Sequence, residues 1–213
     1  MKFYELAYSA QEAEIGSTYP QSQTARELVK VTDSRHLWTQ EIGRLRDDIV
    51  LPQPVLHPDA RLTDLISTTS TWRLILSGKL KSILEKYIYP ESCQFLPMKI
   101  HHINKQYDYW MVNTIMFDME VIDYQSSEIW VDGAGGTKLY KLNCLDQYDF
   151  QEKTGELVLP KRVSIKKAAL TEKTDKQFIQ LQYVYGTGYF VSEKLKREID
   201  DTGCTGMKFV IAE

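Results

Sequence analysis

The sequence predicts an α+β fold, a mostly antiparallel sheet carrying a few amphipathic helices, and three features lead to that expectation. Short segments with apolar residues at every second position recur along the chain, as in Phe178 to Tyr185 and Tyr107 to Met116. Two stretches, Trp72 to Ile100 and Gly188 to Val210, each read as strand, serine, amphipathic helix, strand. The chain has 213 residues and is 43% apolar, enough to bury about 70% of the surface its unfolded form exposes without disulfide staples. One domain over residues 1–213 is expected, with two small ones as the alternative.

In the C-terminal stretch, Tyr189, Phe190 and Val191 form a β-prone run, and Ser192 stands where the apolar spacing changes from strand to helix. Its hydroxyl is placed to accept from a backbone N–H of the first turn, and Glu193 complements the positive end of the helix dipole. Leu195 and Ile199 supply a narrow apolar stripe, with Lys194, Lys196, Arg197 and Glu198 on the wet face. Gly203 offers a left-handed stop, and Met207 to Ile211 reads as a closing strand. Upstream, Ser77 holds the place of Ser192, and Lys79-Leu80-Lys81 aligns with Lys194-Leu195-Lys196. Leu80, Ile83, Leu84, Tyr87 and Ile88 form a broader apolar face that Pro90 ends, and Leu96, Met98 and Ile100 share one face of the strand that follows. The two units are either an internal duplication or two instances of a common way to start an amphipathic helix.

The segments Leu62-Thr63-Asp64-Leu65, TWRLILSGKLKSIL, YDYWMVNTI, FDMEVIDYQSSE and GYFVSEKLKREIDDTGCTGMKF follow one another in an order that resembles the immunity proteins of bacterial polymorphic toxin systems. In that family an Asp-Leu segment precedes a strand, Ser, helix element, a Tyr-rich strand and an Asp...Ser motif come next, and Phe-Val-Ser-Glu-x-Leu-Lys...Gly-x-x-Phe closes the chain. The resemblance covers roughly residues 62–210, and residues 1–60 are divergent. It implies a protein that binds and neutralises a cognate toxin domain by steric occlusion, with no catalysis and no cofactor. The alternative is an enzyme or small-ligand-binding domain whose pocket the sequence does not reveal. A third reading, a nucleic-acid module, would use Tyr107, Tyr109 and Lys161 to Lys167.

Elsewhere the order of elements follows from local patterning. Phe3 to Tyr8 alternates as a first strand. Ile15 to Lys30 reads as a polar loop with one helical turn at Ala25 to Val29, and Trp38 to Leu45 as a strand before a turn at Asp47-Asp48. Pro52, Pro54 and Pro58 exclude helix, so VLPQPVLHPDARL is either a linker or surface arm or an ordinary edge crossing. Cys93 to His102 and Tyr107 to Met116 make a hairpin around Asn104-Lys105-Gln106, apolar on both faces and therefore near the sheet centre. Leu157 to Lys167 points Val163 and Ile165 inward and reads as an edge strand whose lysines discourage sheet-to-sheet pairing.

Charge and chemistry narrow the function classes. A net charge of −3 and a pI near 5.9 argue against a general nucleic-acid binder and leave room for a basic partner. Cys93, Cys144 and Cys204 are odd in number and lack metal spacing, which fits reduced cytosolic thiols. The N-terminus lacks the apolar run of a signal peptide, and no later run approaches the ~18 residues of a membrane span, so a cytoplasmic location without membrane contact is expected. No nucleophile elbow, zinc-protease helix or Cys-x-x-Cys pair occurs. Gly133 to Gly136 leads into the strand-like Thr137-Lys138-Leu139-Tyr140, so its N–H groups open no helix around a phosphate. Gly186-Thr-Gly188 and Ser77-Gly78-Lys79 also lack the required glycines. His101 and His102 are adjacent on a strand and point to opposite faces, poorly placed to share a metal. No catalytic, cofactor or metal residue is assigned. Trp38, Trp72, Trp110 and Trp130 are either core residues or aromatic anchors for the partner. One local rule is broken: Asp200 and Asp201 sit at the negative end of the last helix, each costing roughly 0.3–1 kcal/mol. They are either solvated charge or an acidic spot offered to a basic toxin.

Overall fold

The computed structural model describes residues 1–40, 42–171 and 174–212, the Trp38 side chain aside. In chain order the elements are β1 (Phe3–Tyr8), α1 (Glu12–Ile15), β2 (Ser22–Arg26), β3 (Gln53–Leu56), β4 (Leu65–Ile66), β5 (Ile75–Leu76), α2 (Gly78–Leu84), β6 (Cys93–His102) and β7 (Lys105–Thr114). Then come β8 (Glu128–Asp132), β9 (Lys138–Lys141), α3 (Gln147–Gly155), β10 (Arg162–Lys167), β11 (Phe178–Gln180), β12 (Tyr189–Ser192), α4 (Glu193–Asp201) and β13 (Met207–Ile211). The fold is α+β as expected. Of the strand registers described, only that of β3 with β6 is parallel. The chain forms two compact units, one of residues 7–116 and 197–208, the other of residues 1–6, 117–196 and the segment from Phe209 on.

The larger unit holds a six-stranded sheet in the order β2-β3-β6-β7-β5-β4. The β6–β7 hairpin lies at its centre, as its two apolar faces require, and is registered from Cys93↔Thr114 to His102↔Lys105. Its turn is Ile103-Asn104, with φ of 45° and 62°, a primed two-residue turn one position earlier than the sequence suggests. Met98, Ile100, Tyr109 and Met111 of the hairpin pack with Leu37, Leu45, Leu56, Ile66 and Ile75 into one core.

Several expectations change here and in the smaller unit. The helix read as carrying Tyr87 and Ile88 up to Pro90 ends at Leu84. Ser22–Arg26 is a strand, not a loop with a helical turn; its side chains stay largely exposed, so pairing with β3, not an apolar alternation, makes it a strand. Trp38 to Leu45 contains no strand among the described residues. Leu37–Thr39 is instead a 3-10 turn, closed by Thr39 Oγ1 donating to His36 O at 2.8 Å and Gln40 Nε2 donating to Ser34 O at 2.7 Å. The strand expected from Trp72 shortens to Ile75–Leu76, with buried Arg73 donating through Nε to Asn113 Oδ1 at 3.0 Å. Phe178 to Tyr185 shortens to Phe178–Gln180, because Leu181 N–H turns to Gly188 O at 2.8 Å and Tyr183 takes φ +67°.

The smaller unit holds the sheet β10-β8-β9 and most of the sheet β11-β12-β1-β13. Phe3, Ile129, Phe150, Ile165, Ile179 and Phe190 belong to its core. β10 ends its sheet with Ile165 buried and Lys167 exposed, as read from the sequence. It starts at Arg162, however, Lys166 turns to Asp132 at 2.9 Å, and the Ile165 N–H and C=O bond Tyr183 O and Tyr185 N–H on the outer side. The Gly133 to Gly136 turn leads into β9 and opens no α-helix.

Both serines start helices. Ser77 Oγ accepts from Leu80 N–H at 3.2 Å and Ser192 Oγ from Leu195 N–H at 3.1 Å, each satisfying one orphan donor of the first turn. Leu195 and Ile199 are fully buried, and Gly203 takes φ +66° as the predicted stop. The two strand-helix-strand units share a layout. β5 and β6 flank β7, while β12 and β13 flank β1.

Candidate functional site

A groove of about 370 Å³ opens in the larger unit where β3 parts from β6. These strands share the single described register pair Val55↔His101, with Gln53 Oε1 and His101 Nε2 2.7 Å apart beside it. The sequence explains why the ladder stops. Pro52, Pro54 and Pro97 carry no N–H, so each removes a donor that a continued ladder would need. The proline segment read as an arm or edge crossing is therefore partly an internal strand, lying between β2 and β6, and its departure from β6 makes the opening.

Leu28, Ile49, Val50 and Leu51 line one side of this groove, and Leu96, Pro97 and Met98 of β6 the other. Met98 is a buried member of the core, whereas Leu28 is exposed. Three charged groups complete the lining. Lys99 donates to Asp108 across the hairpin, where the two residues are register partners, and Asp47 stands in the turn before Ile49. The site thus has apolar walls, one lysine and two carboxylates. Burial, with the Arg26 charge added, pulls the His101 imidazole below its usual range. A neutral ring donates through Nε2 to the Gln53 amide oxygen and fixes one end of the groove. His102 instead faces Pro58 O at 3.2 Å, so the two histidines diverge as expected. A second, more polar hollow of about 480 Å³ is lined by Ser34, Thr39, Gln40, Ile42, Arg44 and Arg46.

The remaining candidates are spread over the surface. Trp72 is exposed beneath the Arg73 guanidinium at 4.4 Å. Trp110 and Trp130 are half-buried, with Lys81 at 4.8 Å and Lys138 at 4.7 Å over their rings. Of the two alternatives for these indoles, none of the three is a buried core residue, and the Trp38 side chain lies outside the described residues. Asp200 and Asp201 are exposed at the end of α4, and neither lines the groove. Burial pushes the Cys93 thiol up to about 12 and the Cys204 thiol up to about 11, so neither is a ready thiolate at neutral pH. Among the described residues no three His, Cys, Asp or Glu side chains are grouped to hold a metal ion. No helix among them is long and apolar enough to cross a membrane.

Three of the five segments that carried the sequence resemblance meet at one buried carboxylate in the larger unit. Asp64, of the Asp-Leu segment, accepts from Ser77 Oγ at 2.6 Å, from Thr205 N–H at 2.9 Å and from Lys79 Nζ at 3.0 Å. Gly206, which opens the closing Gly-x-x-Phe, has φ +90°, and a Cβ there would lie 2.2 Å from Leu65 O, so only glycine fits. These are positions that build a scaffold, and the groove sits on that scaffold.

The α+β scaffold thus carries a groove and scattered exposed aromatics. Its class follows from comparison with known families: the model of the Immunity protein family (Imm11) matches residues 6–213. The chain belongs to that family, whose description points to an immunity function. No curated protein matches it.

Proposed function

We propose that this chain binds a cognate toxin domain and neutralises it by steric occlusion, without chemistry of its own, in the cytoplasm of a bacterial cell. The observation that carries this reading is the family match over residues 6–213. The partner is basic, an expectation supported by the net charge of −3 and by exposed carboxylates that include Asp200 and Asp201. Occlusion needs a rigid surface with anchor residues, and acidic groups around it speed encounter with a basic partner.

The test uses the cognate toxin domain, sought as a variable C-terminal domain in the reading frame immediately upstream. Co-expression is expected to protect the cell, and titration of purified chain against toxin activity to reach full inhibition at one equivalent. Loss of toxin activity at small fractions of an equivalent means turnover and overturns the occlusion mechanism.

A further inference from the structure

We propose that the groove between β3 and β6 receives an arginine side chain presented by the toxin, an assignment that rests on the neutralisation reading above. The opening is set by backbone. One register pair closes it, and three prolines prevent the strands from zipping further. It therefore exists before binding, and a partner spends little free energy forming it. Its volume of about 370 Å³ lies at the small end of the ~300–1,000 Å³ seen for ligand pockets. That is room for one inserted side chain more readily than for a large cofactor.

The lining selects which side chain. Leu28, Val50 and Pro97, the last on the same face of β6 as Lys99, offer an apolar bed for a methylene stem, and Asp47 and Asp108 set two carboxylates beside one ammonium, that of Lys99. A long stem ending in a cation matches both parts. Arginine matches better than lysine, because its guanidinium is weakly hydrated, donates in a planar fork and is enriched among interface anchors. Lys99 already occupies Asp108, with its side chain 45% exposed and that of Asp108 83% exposed. It competes with the incoming guanidinium for that carboxylate. This gives the proposal a variant that strengthens binding as well as variants that weaken it.

Two measurements decide the matter. In the first, acetyl-arginine amide, acetyl-norleucine amide and acetyl-glutamate amide are titrated into the full chain and followed by amide NMR shifts. Saturable shifts at Leu28, Val50 and Lys99 with the arginine probe alone are expected, and equal response to all three overturns the assignment. In the second, affinity for the cognate toxin domain is measured for three single variants. Asp47→Asn and Asp108→Asn are each expected to weaken binding about tenfold, and Lys99→Met to tighten it by a smaller factor. Unchanged affinity in all three overturns the groove while leaving neutralisation standing. If the wild-type chain does not bind the toxin at all, the neutralisation reading falls and this assignment falls with it.

Discussion

Ser77 and Ser192 perform the same task on α2 and α4, and they differ in what holds them. Each hydroxyl accepts from the N–H three residues ahead and donates to a side chain from a distant segment. For Ser77 the acceptor is Asp64 Oδ1 and for Ser192 it is Gln177 Oε1, both at 2.6 Å. Asp64 also takes the Thr205 N–H and the Lys79 ammonium, so one carboxylate ties α2 to the turn at residues 203–206. Lys79 adds a donation to Gly203 O at 2.9 Å in the same turn. Gln177 is neutral and spends its amide N–H on Asp175 O at 2.9 Å. One local motif has been joined to the fold by a charged hub in the first case and by a neutral amide in the second. Hydrogen bonds to a charged group are roughly twice as strong as neutral ones. The two caps should therefore fail differently.

Removing the anchor gives the largest contrast. Asp64→Ala strands a hydroxyl, a backbone N–H and an ammonium, and is expected to cost about 3 kcal/mol in urea unfolding, against about 1 kcal/mol for Gln177→Ala. Equal losses would mean that the charge on Asp64 adds nothing. Removing the cap itself comes next. Ser192→Ala should cost about 1 kcal/mol, and Ser77→Ala somewhat more, because the Asp64 oxygen then loses a donor in a mostly buried site.

Acid separates the two caps more finely. Burial pulls the Asp64 carboxyl up, yet hydrogen bonds from Ser77, Lys79 and the Thr205 N–H outweigh it and hold its pKa below the ordinary 3.8. The unfolded chain then binds the proton more readily than the folded one, so Asp64 contributes stability above that ordinary value and loses it as the pH falls through the folded value. The gap in urea midpoint between wild type and Asp64→Asn should be full near pH 7 and shrink below about pH 4. A gap that stays constant into acid rules out Asp64 as the titrating hub. Gln177→Ala, lacking a titrating group at that position, should show no such trend. The smallest effect is expected from Gln177→Glu, which alters stability by less than about 1 kcal/mol at neutral pH and makes the second cap acid-sensitive like the first.

Much of this scaffold was legible in the residues themselves. The change from two-residue to helical spacing at Ser77 and Ser192 marks both caps, and the two apolar faces of Tyr107 to Met116 mark the centre of the sheet. Local physics suffices there, because a cap and a buried strand are each encoded within a few consecutive residues. Long-range pairing was not legible. Ser22–Arg26 has no alternation to advertise it and is a strand because β3 runs beside it. Asp64 stands in a short Asp-Leu segment whose partners, Ser77 and Thr205, lie 13 and 141 residues away.

The candidate site divides in the same way. Pro52, Pro54 and Pro97 show in the sequence that a ladder must break, because each lacks an N–H and no neighbour can alter that. Where the break opens, and that Asp47, Lys99 and Asp108 come to line it, depends on which strands the rest of the chain brings together. By itself the sequence determined the caps, the central hairpin and the missing donors, since those are properties of single residues and near neighbours. Only the tertiary structure decided which distant groups share the buried carboxylate and which share the groove, since that depends on a register no local segment encodes.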